Sequence, residues 1–498
     1  MKSIYTFLFS LCLVFHINAQ TETEAQKSLS PTKDLPLIKI SSTSQSYNIG
    51  QPWEKKPTNT RRGLGVLIGE NQILTTAEMA TDANYIELET VNGKSAMPAK
   101  TIAIDYESNL ALLSVTSETD QDILKSFVPL KMAPSASLNE AVQVYQVEDS
   151  GKILVTEGII RGADIVSSFV ANHYFLTYEV KASMQSASNS FTIPVMKNGK
   201  LLGILTSYNS EDQLLDITAP EIIKAFLDDA KDGEYIGFPS LGIGTSRTDD
   251  PHFREWLKLD DSQGGLYIKK VQRNSAAQVA GIKAGDVLVK IDDYEISRKG
   301  YYQSETYGPL YWSHLVRGIK KVGETLNIEL LRDGELIRKE VKLSRQPEGL
   351  IPSHIFGKAP RYLIKGGFVF QELSKSYLQG YGEKWETRAP IDLLDVFNHP
   401  EDYEADRNRL VILSRTIPTE ATLGYERISG AIVNKVNGKK IADIPSIVEA
   451  FKTPGENGLH TIELDNVLKT LYLDAETAKK VEVNFLQRGL PALSRVEE

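Results

Sequence analysis

The chain has 498 residues, with 56 Lys or Arg against 65 Asp or Glu and a formal net charge of −9. Its 41% hydrophobic and 24% charged residues are globular proportions and exclude a disordered or fibrous chain. The acidic balance, with no long Lys/Arg run, argues against nucleic acid as a partner; the single Cys, Cys12, excludes Cys-ligated zinc, iron–sulfur clusters, disulfides and thiol catalysis from the mature chain.

Cys12 falls in a segment with the features of a signal peptide. Lys2 supplies a short basic start, Ile4 to Phe15 is an apolar run, and Ala19 is a small residue suited to cleavage. The run is short for a membrane span and polar residues follow at once. Residues 1–19 are therefore expected to direct export to a periplasm or the extracellular space, with no stable membrane insertion. Residues 20–59, rich in Ser, Thr, Pro and Lys, read as an N-terminal arm.

Short β-type runs come next: Leu64 to Ile68, Ile73 to Thr76 and Tyr85 to Glu89, separated by G-E-N-Q and V-N-G-K turn signals. The pattern continues through Val142–Val147, Phe175–Val180 and Leu201–Thr206, which predicts a barrel or sandwich. Thr218-Ala219-Pro220-Glu221 reads as a capping box ahead of an amphipathic helix that Gly233 stops, closing a domain at about residue 232.

The segment R-R-G-L-G-V-L-I-G-E-N-Q-I-L-T-T-A-E-M-A from Arg61 carries the most information. D-Y-E-S-N-L-A-L-L from Asp105 and N-G-K-L-L-G-I from Asn198 follow it in order. Together these blocks resemble the protease domain of the HtrA/DegP family over residues 60–232. The resemblance implies a mainly β fold with a chymotrypsin-like double barrel and catalytic groups between the two barrels.

The family mechanism needs a Ser nucleophile, a His base and an Asp that orients the His. The family's His position falls on Glu78 and its Asp position on Asn109. The nucleophile position falls on Phe191 when counted back from Pro194 without gaps. With one inserted residue it falls on Ser190, within Ser188-Asn189-Ser190. The domain's one His, His173, lies in the second half and reads as structural or surface. A carboxylate at Glu78 is a feeble base toward a hydroxyl. No Gly stands between Gly162 and Gly199, so the loop lacks the residue that favours backbone oxyanion donors. On this reading no triad is intact and the domain is a pseudoprotease.

Residues 236–346 are similar to a PDZ domain of the HtrA type, with G-I-K-A-G-D-V-L at Gly281–Leu288 as the clearest block. The resemblance places the carboxylate-binding turn on Leu241, Gly242 and Ile243 and the groove-facing helix residues at Leu315 and Ile319. Successive backbone N–H groups at such a turn can hold a C-terminal carboxylate while a strand edge pairs with the peptide. The Tyr-rich segment Asp293–Tyr311 reads as local packing. Residues 350–498 resemble the second PDZ-like domain of the plant-type DegP-like proteases, which implies assembly: a homo-oligomer, a trimer or hexamer by resemblance. No cofactor or metal is expected.

The expected function is an exported, inactive binder of polypeptides or protein C-termini, acting as scaffold, chaperone or quality-control adaptor. The competing reading is an active serine endopeptidase using Ser190 with a non-standard base. A small-molecule enzyme in the barrel cleft has no motif in its support.

Overall fold

The computed structural model describes residues 35–497 apart from 92, 94, 168, 171–172, 186–191 and 466–469. Strands β1 (Leu37–Ser44), β2 (Asn59–Gly69), β3 (Gln72–Thr75), β4 (Ala83–Thr90), β5 (Ala96–Asp105) and β6 (Leu110–Val115) close into one barrel, in the spatial order β1-β2-β3-β6-β5-β4. A second barrel holds β7 (Ala141–Val147), β8 (Ile153–Ser167), β9 (Tyr174–Lys181), β10 (Pro194–Lys197), β11 (Lys200–Asn209) and β12 (Leu214–Thr218), in the order β8-β9-β12-β11-β10-β7. Counted round the ring from the first strand of each, the two orders are the same. Every neighbouring pair is antiparallel, and closure leaves no sheet edge open.

The expected arm over residues 20–59 is corrected here for its second half. Leu37–Ser44 is β1, pairing in register with both β2 and β4, and Tyr47–Lys55 forms a small hairpin. The reason is visible in L-I-K-I-S-S-T-S: Leu37, Ile38 and Ile40 are buried, and Ser42 and Ser44 fill later inward positions. Small hydroxyl residues suit a strand buried on one face, so Ser/Thr richness there marked a strand and not a tail.

The closing helix is Pro220–Asp229, with Pro at its first turn, and Gly233 follows at φ +85°. Its N-cap is Ala219 without a side-chain cap, not the expected Thr218. Thr218 is the last residue of β12, its backbone committed to β9 and β11, so the helix starts one residue later.

The first PDZ domain is an antiparallel sheet in the order β13 (Ile243–Ser246), β14 (Leu266–Val271), β15 (Val287–Ile291), β16 (Thr325–Arg332), β17 (Glu335–Lys342). β13 is an edge strand of that path. The second PDZ domain builds a longer sheet whose path ends on Ser494–Arg495, over a core that includes Phe368, Phe370, Leu413, Val433 and Ile447. No helix among the described residues is long and apolar enough to cross a membrane.

Candidate functional site

In the first barrel, β3 runs through Thr76 into a short helix, Ala77–Ala80, that carries Glu78. Asn109 stands at the start of β6 with φ +57° and is nearly buried. The structure brings these two residues together, but through the backbone: the Glu78 N–H donates to Asn109 Oδ1 at 3.0 Å. The Glu78 carbonyl in turn accepts from Arg61 at 2.6 Å. Next to them, Thr192 Oγ1 of the second barrel lies 3.0 Å from Thr76 Oγ1 and 3.4 Å from Thr75 Oγ1, and Thr75 donates to the Leu64 carbonyl. Among the described residues, three buried hydroxyls thus meet between the barrels at this point, beside an amide that holds a turn. Ser188, Asn189, Ser190 and Phe191 lie outside the described residues.

His173, just before β9, does not face Glu78. Its Nδ1 lies 3.1 Å from Glu107 Oε2 and 3.1 Å from Arg317 Nη1. Arg317 also pairs with Glu107 and lays its guanidinium over the Phe175 ring at 4.8 Å. Burial works to raise the Glu107 carboxyl, but the His173 hydrogen bond and the Arg317 charge overcome it and hold it at about 2. Three parts of the chain meet at this cluster: the loop before β6, the second barrel and the first PDZ helix.

The same loop grips other segments with nearly every residue. Asp105, 1% exposed, accepts from the Ser108 N–H at 2.6 Å and from Tyr235 Oη at 2.7 Å. Burial pushes its carboxyl up, opposed by those two donors. Tyr235 belongs to the link into the PDZ domain, and the Tyr106 ring stacks on Phe356 of the link after it, at 4.6 Å. Sequence reasoning singled out Asn109 here and missed Asp105, Tyr106 and Glu107. A charged Arg317 in the apolar run L-V-R-G-I was the one available signal.

In the first PDZ domain Leu241 is buried, and its carbonyl accepts from the Ala277 N–H at 3.0 Å. Gly242 has φ +70°, and a Cβ there would lie 2.3 Å from Ser275 Cβ, so the position requires Gly on conformation and on space. Ile243 opens the edge strand β13 opposite Val271. A cleft of about 850 Å³ opens on Gly242, Ile243 and Gly244 and runs under the link into the second PDZ domain.

The two expected helix residues part company. Leu315 is 3% exposed and Ile319 52%, and neither lines that cleft. The helix, Ser313–Arg317, turns toward the second barrel through Arg317, which accounts for the burial of its neighbours. The Tyr-rich segment also does more than pack locally. Tyr307 Oη lies 2.9 Å from Tyr178 Oη and donates to Glu221, both of the barrel domain.

Comparison with known proteins gives two matches to PDZ domain models, over residues 239–343 and 351–490. Protease Do-like 2, chloroplastic, of Arabidopsis thaliana is 27% identical, the match covering 82% of this chain and 66% of that protein. Putative protease Do-like 11, mitochondrial, from the same plant is 24% identical over 91% of this chain and 73% of its own length. This chain thus spans about two thirds of the first of these relatives. Among solved structures, the HtrA-type protease AlgW with a decapeptide is 18% identical with a TM-score of 0.48, covering 63% of this chain and 96% of that one. The chain is thus similar to HtrA/DegP-like proteases, and its two closed six-stranded barrels are followed by two PDZ domains.

Proposed function

We propose that this protein is exported, does not hydrolyse peptide bonds, and binds polypeptides or protein C-termini through its first PDZ domain. It would act as a homo-oligomeric scaffold, chaperone or quality-control adaptor. The observation that carries the reading is the Glu78–Asn109 contact. The Asn109 side chain is spent on a backbone N–H at 3.0 Å, where the family mechanism needs an acid orienting an imidazole. His173, the imidazole of this domain, is held by Glu107 and Arg317 instead.

With Glu78 in place of an imidazole at the family's base position, acyl transfer loses the proton acceptor that makes a hydroxyl reactive. Peptide capture requires no such group. It rests on backbone donors at the Leu241–Ile243 turn and on the open edge of β13. The test is mature protein offered casein and a serine-reactive fluorophosphonate, with neither cleavage nor labelling expected. Cleavage that disappears in Ser190→Ala would overturn the proposal in favour of a serine endopeptidase, the reading that the relatives' protease names favour.

A further inference from the structure

The turn that would receive a carboxylate is not idle in this structure. The Gly242 N–H donates to Ser240 Oγ at 3.1 Å, and that hydroxyl donates onward to Gln346 Oε1 at 3.3 Å. One residue further, the Pro347 carbonyl accepts from Gln272 Nε2 at 2.7 Å, and Gln272 is itself tied to the turn through its N–H to the Gly242 carbonyl at 2.8 Å. Gln346 and Pro347 begin the link between the two PDZ domains. The next two residues are held from the other side: Arg409 of the second PDZ domain pairs with Glu348 and donates to the Gly349 carbonyl at 2.9 Å. Four consecutive residues are thus divided between the carboxylate turn and the second PDZ domain.

We infer that a carboxylate captured at the Leu241–Ile243 turn displaces Ser240 from the Gly242 N–H and so releases the link that holds the second PDZ domain. The inference rests on the proposed peptide capture and adds its regulation. The N–H has one hydrogen, and an ionised acceptor outbids a neutral hydroxyl for it. Ser240 Oγ then loses its donor and rotates out to water, taking its own hydrogen away from Gln346. Gly242 cannot move aside to keep both contacts, because Ser275 blocks it and its carbonyl is fixed by Gln272. The rigid turn passes the change to the link, whose other end is in the grip of Arg409. This is coupling in the thermodynamic sense: what loosens the link favours the ligand, and the reverse.

The experiment uses the full mature chain, a pool of free-acid decapeptides randomised at the last four positions, and the same pool amidated. Ser240→Ala exposes the N–H in advance, so free-acid peptides bind about three- to tenfold more tightly, the worth of one exchanged hydrogen bond, while the amidated pool is unchanged. In the unmodified chain, backbone hydrogen exchange over residues 346–350 quickens when free-acid peptides are added. In Gln346→Ala it is fast from the start and no longer responds. Ser240→Thr keeps the hydroxyl and restores the original behaviour, which separates the relay from a packing effect.

Equal or weaker free-acid binding by Ser240→Ala overturns the inference. So does an unresponsive link in a chain that binds free-acid peptides. Equal binding of acid and amide pools by every variant is a different result: carboxylate capture itself then falls, and the coupling with it.

Discussion

Where the two barrels meet, the groups a hydrolase needs are side chains: an imidazole, a carboxylate, a hydroxyl. At the Leu241–Ile243 turn, the groups that would hold a carboxylate are backbone N–H donors, and only the space around them depends on residue type. The first region carries Glu78 and Asn109, to which the sequence reading assigns the family's base and orienter positions, and the local side chains stitch turns together. The second keeps Gly242 at φ +70° against Ser275, the one residue for which that backbone has room. A function carried by side chains can be lost by ordinary substitution with the fold intact. One carried by backbone persists as long as the turn is built.

The largest effect should come from the joint between these regions. Arg317→Ala leaves the Glu107 carboxylate buried without its main countercharge, at a cost of about 3–5 kcal/mol. Glu107→Gln should cost less, and the double variant less than the sum of the two, measurable by denaturant unfolding.

Gly242→Val combines a β-branched residue at positive φ with a steric overlap. We expect the first PDZ domain to lose about 2–4 kcal/mol and its free-acid peptide binding, while hydrogen exchange in the barrels is unchanged. Peptide binding that survives this variant would break the comparison.

Acid should separate the PDZ domains from the joint. Burial lowers His314 in the first PDZ domain and His460 in the second to about 4 each, from an ordinary 6.5. Their unfolded forms take a proton first, so the stability they lend is present above pH 6.5 and lost as pH falls toward 4, on the order of 2–3 kcal/mol per His. Glu107 has the opposite habit for its type: held at about 2, it lends stability above its ordinary 4.5 that fades only as pH falls toward 2. Thermal unfolding followed from pH 7 to pH 3 should show the PDZ domains weakening first.

The smallest expected effect is none. Restoring Glu78→His with Asn109→Asp should produce no casein cleavage, because one missing oxyanion donor alone costs about 3–4 kcal/mol in the barrier and the loop after Gly162 has no Gly before Gly199. Robust cleavage would show that side chains were all that was lacking.

Sequence reading reached the parts of this molecule that local pattern encodes. The L-G-V-L-I and L-A-L-L runs became β2 and β6, and Gly281 and Gly285 both sit at positive φ in the PDZ block. It failed on β1, whose Ser/Thr-rich composition hides an alternation that only its two barrel neighbours fix. It also failed on the joint, since Glu107 meets Arg317 across 210 residues and Asp105 meets Tyr235 across 130. No local period announces such a contact. Gly242 was legible because its constraint is its own backbone, whereas Ser240 was not, because its partner Gln346 lies 106 residues away.

One contact described only through its sheet, the strand Ser494–Arg495, has a consequence for how the chain is made. Arg495 donates to the carbonyls of Pro52 and Pro360, and its guanidinium lies over the Tyr47 and Tyr362 rings. The bond to Pro52 spans 443 residues and ties the last strand to the hairpin that follows β1. Each barrel and each PDZ sheet can close on contacts within itself, but this tie must wait until Arg495 has been made. At roughly 5–20 residues per second, the first barrel stands complete for tens of seconds before its hairpin meets its partner. During that interval the hairpin is an uncovered surface on an otherwise finished domain.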